Sequence, residues 1–454
     1  MKTVAAISTP YGKGGVALIR ITGDEAVAIA EKVALRTGKG TLSDAPSATA
    51  VRVTFEDAGV PFDDGLATVF RAPRSFTGED VVELCCHGGI LLTQKLLSAV
   101  FTAGAFPAGP GEFTRRAFQN GKLSLSQAEA VGGLIDAKSE QYLTVSLLQC
   151  RGALSEKLQD LCGRLRFLIA SVYAFIDYPD EDMTDVSVEE MRERLAAICR
   201  ETEKLCDSHA YGKAISEGIP VCILGKPNTG KSALLNALAR EERAIVTAIP
   251  GTTRDVVKEQ VRLGDLLLNL SDTAGIRESE DVVEQIGIQR SVRSLEEAEL
   301  VLAVFDGSRP LEEEDLEVLS LLKSHGKEEK TVYLLNKSDL SEDPSVRASL
   351  PKAPVVISAM EKTGLEALEA AVKERFGQVD TASLGEIVVG ARQFAALTKA
   401  KKHLQDALHT LEGFSQDLAG LDMEQALQAL EEVDGKTASD EIVSEIFSHF
   451  CVGK

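Results

Sequence analysis

An eight-residue glycine-rich loop constrains the fold of this chain more than any other segment. It reads Gly225-Lys226-Pro227-Asn228-Thr229-Gly230-Lys231-Ser232 and fits the pattern G-x-x-x-x-G-K-[ST]. An apolar, strand-like stretch (221–224) precedes it and a helical run (233–239) follows it. The glycines let backbone N–H groups face phosphates, and a helix N-terminus favours negative charge. We therefore expect a P-loop domain in which Lys231 reaches the β- and γ-phosphates and the Ser232 hydroxyl binds Mg²⁺.

Four further segments follow in the order expected of a GTPase domain. They are Gly251-Thr252-Thr253-Arg254-Asp255, Asp272-Thr273-Ala274-Gly275, Asn336-Lys337-Ser338-Asp339 and Ser358-Ala359. Thr253 would supply the second Mg²⁺ hydroxyl, and Asp272 would hold the hydration shell of the ion. Asp339 can accept two hydrogen bonds from guanine that adenine cannot offer, so the site would reject adenine. Each short motif alone is typical of ordinary turns, but five in this order predict a guanine-nucleotide site.

The candidate GTP contacts extend from the loop to these four segments. They are Gly225, Asn228, Thr229, Gly230, Lys231, Ser232, Ala233, Thr247, Ala248, Ile249, Pro250, Gly251, Thr252, Thr253, Asp272, Thr273, Ala274, Gly275, Asn336, Lys337, Asp339, Ser358 and Ala359.

The residues that assist hydrolysis are less evident. Ile276 stands where a Ras-like enzyme has a water-orienting glutamine. Asn228 could bind a monovalent cation together with the carbonyls of Thr247 and Ile249, or it could simply be the turn residue after a proline. Glu284 could position water, or it could be one of several acids on an exposed helix.

The rest of the 454-residue chain predicts two further domains. Strand-like runs at 16–21, 50–55 and 81–84 and a helical run at 91–101 indicate an α+β domain over residues 1–118. Helical periodicity follows, with capping-box spacing at Ser126-Gln127-Ala128-Glu129, and it resumes after residue 376. We expect these flanking helices to form one discontinuous domain, 119–215 and 377–454, into which the GTPase domain, 216–376, is inserted. The predicted fold class is thus multidomain α/β and α.

Composition limits the partners and the compartment. With 70 acidic and 49 basic residues the net charge is −21, so any polyanionic partner must be held by a local patch. No apolar run is long enough to span a membrane, and the short apolar start is interrupted by Pro10. The eight cysteines show no zinc or disulfide spacing. We expect a cytoplasmic protein with reduced thiols and no membrane contact.

Motifs outside the GTPase segments resemble the bacterial tRNA-modification GTPases of the MnmE (TrmE) family. They are Gly15-Val16-Ala17-Leu18-Ile19-Arg20-Ile21-Thr22-Gly23, Ser75-Phe76-Thr77-Gly78-Glu79-Asp80, His87-Gly88-Gly89, Pro110-Gly111-Glu112-Phe113-Thr114-Arg115-Arg116-Ala117-Phe118 and the terminal Phe447-Ser448-His449-Phe450-Cys451-Val452-Gly453-Lys454. The resemblance covers nearly the whole chain. Val443-Ser444 stand where the family has Leu-Gly.

The resemblance implies a site, cofactors and partners. It implies a homodimer formed through the N-terminal domains, which bind formyl- or methylene-tetrahydrofolate at positions matching Arg20, Glu83, Lys122 and Lys454. It also implies a complex with the flavoprotein MnmG, which uses FAD and NADH. Together the two would install an aminomethyl-type group at carbon 5 of the wobble uridine of certain tRNAs.

The resemblance also assigns roles to individual residues. It implies K⁺-activated hydrolysis with Asn228, Thr247, Ile249 and Thr252 as K⁺ contacts, and Glu284 as the catalytic acid. Cys451 would act in tRNA modification rather than in GTP hydrolysis, although a lone helical cysteine is usually structural.

Two other functions use the same nucleotide chemistry. A ribosome-assembly GTPase would usually carry a basic RNA-binding module with a G-x-x-G loop, and the chain shows no such appended module. A nucleotide-gated scaffold with little catalysis would hydrolyse GTP slowly, without acceleration by potassium.

Overall fold

The computed structural model describes residues 1–177, 187–241, 259–264, 266–270, 293–376, 381–413 and 416–454. These residues form two compact units. The first unit comprises residues 1–132, 149–166 and 427–454, and the second comprises 133–148 and 167–426. The C-terminal residues therefore belong to the same unit as the N-terminal ones, although more than 290 residues of chain separate the two segments 1–132 and 427–454.

A seven-stranded sheet forms the N-terminal part of the first unit. Its strands are β1 (Val4–Ile7), β2 (Val16–Thr22), β3 (Ala34–Arg36), β4 (Thr49–Asp57), β5 (Val60–Phe70), β6 (Val81–His87) and β7 (Phe106–Pro107). The spatial order is β3-β4-β5-β6-β2-β1-β7, and all neighbours are antiparallel except β1 and β7. The three strands predicted in this region are β2, β4 and β6, each slightly longer than its sequence pattern indicated.

A six-stranded sheet forms the centre of the second unit. Its strands are β8 (Ile219–Leu224), β9 (Glu259–Leu263), β10 (Leu266–Leu270), β11 (Leu300–Asp306), β12 (Thr331–Asn336) and β13 (Val355–Val356). The order is β13-β12-β11-β8-β10-β9, and only β9 and β10 are antiparallel. All residues of β11 are buried, because apolar clusters cover both faces of this sheet. The carboxyl ends of its parallel strands share one edge, which is where ligands bind in such sheets.

The described residues also form α-helices, and two 3-10 helices lie at Glu328–Lys330 and Thr381–Glu386. The α-helices are α1 (Ala26–Glu31), α2 (Ile90–Thr102), α3 (Glu112–Gln119), α4 (Leu125–Asp136), α5 (Glu140–Cys150), α6 (Ala153–Asp177), α7 (Val188–Ser216), α8 (Lys231–Glu241), α9 (Glu313–Ser324), α10 (Pro344–Ser349), α11 (Leu365–Phe376), α12 (Ala391–Gly413), α13 (Gln416–Val433) and α14 (Asp440–Ser448), with a further helical stretch over 293–297. None of the described helices is long and apolar enough to span a bilayer.

The capping box predicted at Ser126–Glu129 is wrong by two residues. Helix α4 begins at Leu125, and the Ser124 hydroxyl accepts a hydrogen bond from the Gln127 backbone N–H at 3.2 Å. The Gln127 side chain in turn accepts one from the Ser124 N–H at 2.9 Å, which completes the box. Ser126 is instead buried and donates its hydroxyl to the Val433 carbonyl. Ser124 and Ser126 each lie three residues before a glutamine or a glutamate, so both fit the capping-box pattern. Only the tertiary contact of Ser126 with Val433 distinguishes them.

Helices from before and after the nucleotide-binding segment pack together in the second unit, as the sequence predicted. Helix α7 lies against α12, and the rings of His209 and Phe394 stack with centroids 4.3 Å apart. At Gly212 the approach is closer still, because a Cβ atom would lie 2.2 Å from the Val388 carbonyl oxygen. The fold class is therefore a discontinuous helical domain with an inserted P-loop domain, whereas the proposed boundaries after residues 118, 215 and 376 stay a prediction.

Candidate functional site

The phosphate loop has the strand–loop–helix setting that its sequence predicted. It leaves β8 at Leu224 and enters α8 at Lys231. Gly225 and Gly230 have φ angles of +154° and +97°. A Cβ on Gly225 would lie 2.4 Å from the Val304 carbonyl oxygen, and one on Gly230 would lie 2.1 Å from the Asn336 side-chain nitrogen. Both positions therefore require glycine for conformation and for space.

Lys231 folds back over the loop that it closes. Its Nζ donates to the carbonyl oxygens of Gly225 and Lys226, each at 2.7 Å. Burial lowers the pKa of this ammonium. An ammonium held beside a ring of backbone groups can exchange carbonyl oxygens for phosphate oxygens, so the arrangement suits a nucleotide phosphate. Ser232 and Ala233 follow in the first turn of α8, where the Ser232 hydroxyl can serve as a magnesium ligand.

Asn228 and Thr229 complete the loop. Asn228 is exposed and has a φ angle of +63°, a left-handed conformation that asparagine tolerates better than most residues. Thr229 is fully buried, and its hydroxyl donates to the Lys226 carbonyl at 3.0 Å. The geometry of Asn228 agrees with a turn residue and leaves its side chain accessible, so its cation contact stays a prediction.

Asn336 joins three loops at the carboxyl edge of the sheet. Its Nδ2 donates to the Thr229 carbonyl at 2.8 Å, and its Oδ1 accepts from the Ala359 N–H at 2.9 Å. The Ser358 hydroxyl donates to Asp339 Oδ1 at 2.5 Å, which fixes the orientation of that carboxylate. The predicted base-reading residues are thus brought together beside the phosphate loop, although they lie more than one hundred residues further along the chain.

Sequence reasoning missed the role of Lys226. Its side chain is nearly fully buried, and Nζ lies 2.5 Å from Asp315 Oδ2 and 2.8 Å from Glu312 Oε2. Burial opposes the charge, yet the hydrogen bonds to Asp315 and Glu312 prevail and raise the pKa of this ammonium. Lys226 occupies a variable position of the loop pattern, so only the acidic pair at the start of α9 could have drawn attention to it. The contact anchors the phosphate loop to α9.

Several predicted contacts lie outside the described residues. They are Thr247, Ala248, Ile249, Pro250, Gly251, Thr252, Thr253, Asp272, Thr273, Ala274, Gly275 and Glu284. Their predicted parts in magnesium, potassium and water binding therefore stay predictions.

The predicted folate contacts lie in the first unit, around two aromatic rings. Arg20 and Glu83 are direct partners on the paired strands β2 and β6, and Arg20 donates to Glu83 Oε1 from Nε at 3.0 Å and Nη2 at 2.7 Å. The Arg20 guanidinium carbon also lies 5.7 Å from the centre of the Phe76 ring and 5.6 Å from that of Phe113. The guanidinium is thus fixed by charge and by aromatic contact.

Lys122 belongs to the same surroundings through the loop that carries Phe76. Its Nζ donates to the Pro73 carbonyl at 3.0 Å. The neighbouring Asn120 side chain donates to the Thr77 carbonyl at 2.7 Å, which holds the loop against the end of α3.

The last four residues of the chain lie along the start of α3. The Phe113 N–H donates to the Lys454 carbonyl at 3.1 Å, and the Gly111 N–H donates to the Cys451 carbonyl at 3.3 Å. Val452 forms a β-bridge with Pro110, and Cys451 is exposed. Phe113 thus links the terminal lysine to Arg20, so the structure brings the predicted folate residues to one region of the unit.

Helix α14 positions this tail. The Val443 side chain is 5% exposed and packs with Leu125, Ala128 and Phe447 in one apolar cluster. The departure from Leu-Gly at residues 443–444 therefore keeps an apolar anchor where the helix needs one. Eight free cysteines occur in the described residues, and seven of them are buried or half-buried.

Comparisons with known proteins cover the whole chain. The profile described as the MnmE helical domain matches residues 125–451, and that of the GTP-binding protein TrmE N-terminus matches residues 3–122. The tRNA modification GTPase MnmE of Symbiobacterium thermophilum is 42% identical over 460 residues, and that of Geobacillus kaustophilus is 40% identical over 462 residues. Each alignment spans 100% of this chain and 99% of the relative.

Proposed function

Because this chain belongs to the MnmE family of tRNA-modification GTPases, we propose that its GTP hydrolysis serves the addition of an aminomethyl-type group to carbon 5 of the wobble uridine of certain tRNAs. Family membership makes the chain a GTPase that takes part in tRNA modification. The modified position, the one-carbon donor, the potassium requirement and the partner are the proposal. The observation that carries it is the meeting of Arg20, Glu83 and the terminal lysine around Phe113.

The nucleotide site supports a division of labour between its residues. Lys231, already held at the mouth of the loop, would bind the β- and γ-phosphates, and Ser232 and Thr253 would bind Mg²⁺. Asp339, oriented by Ser358, would accept the hydrogen bonds of guanine. Asp272 would hold the magnesium hydration shell.

Hydrolysis would be assisted without a glutamine or an arginine finger. Asn228, Thr247, Ile249 and Thr252 would hold K⁺, which would supply positive charge beside the phosphates as an arginine does elsewhere. Glu284 would position the attacking water. The exposed amide of Asn228 on the phosphate loop supports this assignment.

The first unit would bind the one-carbon donor. The paired Arg20 and Glu83 offer donors and an acceptor to the polar edge of a formyl- or methylene-tetrahydrofolate, while Lys122 and Lys454 offer positive charge to its carboxylates. Exposed Cys451, three residues from Lys454, would act in the modification chemistry. The flavoprotein MnmG, with FAD and NADH, would be the redox partner of a homodimer of this chain, and the complex would act on tRNA in the cytoplasm.

The nucleosides of tRNA from a strain lacking this chain test the proposal. We expect the C5 modification of the wobble uridine to be lost and to be restored by the wild-type gene. Lys231→Ala should not restore it, because phosphate binding is removed, and Cys451→Ser should not restore it although the purified variant still hydrolyses GTP. Cys150→Ser, which alters a thiol whose pKa burial raises to about 11, is the matched control and should restore it.

The outcomes separate the alternatives. Normal wobble uridine in the deletion strain would refute the proposed function. Restoration by Cys451→Ser would leave this cysteine a structural role only. Restoration by Lys231→Ala would indicate that nucleotide turnover is dispensable, as in a scaffold.

A further inference from the structure

A buried carboxylate lies beside the base-reading loop and has no part in the motifs described so far. Asp306 ends β11 and pairs in parallel register with Asn336 at the end of β12. The N–H of the next residue, Gly307, donates to the Asn336 carbonyl at 2.8 Å. The side chain of Asp306 is only 4% exposed. A charged group buried at this depth needs partners.

The partners of Asp306 divide between its two oxygens. Oδ1 accepts from the backbone N–H of Ser308 at 3.0 Å and from its hydroxyl at 2.7 Å. Oδ2 accepts from Lys337 Nζ at 2.6 Å. Burial opposes the negative charge, but the hydrogen bonds from Lys337 and Ser308 prevail and hold the pKa of the carboxyl below its ordinary value. Asp306 is therefore a carboxylate at neutral pH, with its orientation fixed by Ser308.

A chain of charges continues from Asp306 toward the phosphate loop. Arg309 Nε lies 3.3 Å from Asp306 Oδ2, and Arg309 Nη1 lies 3.8 Å from Glu312 Oε1. Glu312 in turn accepts from Lys226. Arg309 therefore contacts the same carboxylate oxygen as Lys337, and together with Ser308 these residues hold the Asp306 side chain in place.

Asp306 restrains the side chain of Lys337. Lys337 lies between Asn336, which joins the phosphate loop to Ala359, and Asp339, and its φ angle is +68°. A lysine side chain free in solvent samples many rotamers, and ordering it when a ligand binds weakens the binding. The 2.6 Å contact with Asp306 restrains the Lys337 ammonium beside the base-reading loop. An ammonium and its alkyl stem held beside a purine ring attract the ring face.

We propose that Asp306 is a positioning residue for guanine recognition, which acts by holding Lys337 ordered beside the base site. The inference rests on the base-reading role proposed for Asn336, Lys337 and Asp339. Asp306 touches no nucleotide itself. Its contribution is that Lys337 meets the incoming base without first losing side-chain freedom.

A double-mutant cycle on the full-length protein tests the coupling. The measured quantity is the rate of GDP release, with Mg²⁺ present, from wild type, Asp306→Asn, Lys337→Met and the double variant. Asparagine keeps the size of Asp306 and its bond to Ser308 but removes the charge that holds Lys337. We expect each single variant to release GDP about tenfold faster than wild type. The double variant should release GDP no faster than either single variant, because both changes remove the same charge-assisted contact.

Asp343→Asn is the matched control. Asp343 caps α10 through Ser345, and its backbone N–H donates to the Gly307 carbonyl, whereas the ion pair of Lys337 is with Asp306. Asparagine caps helices as well as aspartate does, so this variant should release GDP at the wild-type rate. In steady state, Asp306→Asn should raise KM for GTP by a larger factor than it lowers kcat.

Each result has a defined meaning. If the effects of the two substitutions add, so that the double variant releases GDP about a hundredfold faster than wild type, the two residues act independently and the proposal is overturned. Wild-type release from Asp306→Asn would overturn it as well. If Asp306→Asn does not fold, Asp306→Ser, which also removes the charge, takes its place in the same cycle. A wild-type protein that binds no guanosine nucleotide would instead refute the proposed function.

Discussion

Non-glycine residues with left-handed backbone are rare, and two of them lie in the predicted nucleotide loops. Among the described residues, positive φ angles occur at Ala48, Ala58, Asn228, Lys337 and Lys362. Asn228 belongs to the phosphate loop, and Lys337 to the base-reading loop. Backbone conformations of this kind cost free energy and persist where the surrounding structure enforces them, often at functional sites.

Asn228→Gly distinguishes the two interpretations of Asn228. Glycine adopts a φ angle of +63° readily, so the turn is kept while the amide is lost. We expect wild-type GTP hydrolysis to be at least about tenfold faster in potassium than in sodium buffer, since a cation beside the phosphates replaces an arginine finger. The variant should hydrolyse GTP at the same slow rate in both salts. Full potassium acceleration of the variant would show that Asn228 is only a turn residue.

At the scale of elements, the C-terminal tail is held in place through the hydrogen bonds of its own backbone groups. Ser8 donates its hydroxyl to the Gly453 carbonyl at 2.9 Å. Gly453 has a φ angle of +95°, and a Cβ atom there would lie 2.1 Å from the Ile7 carbonyl oxygen. The packing of α14 brings the tail next to Ile7, and Gly453 allows the close approach because it has no Cβ atom. The tail and α14 therefore act together to present Cys451 and Lys454.

Gly453→Ala should release the tail. The methyl group cannot fit against Ile7, and the left-handed conformation alone costs about 1–2 kcal/mol. We expect 5-formyltetrahydrofolate to bind at least about tenfold more weakly in calorimetry, with GTP hydrolysis as in wild type. The control is Gly38→Ala, which introduces the same strain at φ +115° where no atom lies within 4 Å. Equal folate affinity of the Gly453 variant and the control would mean that the tail does not form the folate site.

At the scale of the whole molecule, the net charge should make the stability of the protein depend on salt. A net charge of −21 creates self-repulsion and opposes the approach of other polyanions. Exposed charges further apart than a Debye length of about 8 Å are screened at physiological salt. The stability of the protein should therefore respond to ions in two ways, through screening and through a specifically bound cation.

Calorimetry in two chloride salts separates these effects. We expect the midpoint temperature of the first unfolding transition to rise by about 2 °C or more between low and 0.3 M choline chloride. This is the shift expected if screening of the repulsion stabilises the native state by roughly 1 kcal/mol. With GDP and Mg²⁺ bound, KCl at the same ionic strength should raise it further, because a ligand that binds only the native state stabilises it. Identical transitions in the two salts would argue against a potassium site, and no rise in choline chloride would argue against self-repulsion.

The sequence by itself predicted the phosphate loop in its strand–loop–helix setting, the Asn-Lys-x-Asp loop at the end of its strand, and three strands of the N-terminal sheet. The phosphate loop, the Asn-Lys-x-Asp loop and the apolar strands that precede them are runs of contiguous residues, so the pattern of neighbouring residues is sufficient to predict them. The folate residues came from family resemblance, because no local pattern connects Arg20 with Lys454. The tertiary structure alone decided that Lys226 is anchored by Asp315, that Asp306 holds Lys337, and that Ser124 rather than Ser126 caps α4. Lys226 and Lys337 are far in sequence from their carboxylate partners, and Ser124 and Ser126 fit the same capping-box spacing. Burial selects the partner in each case, and burial exists only once the chain has folded.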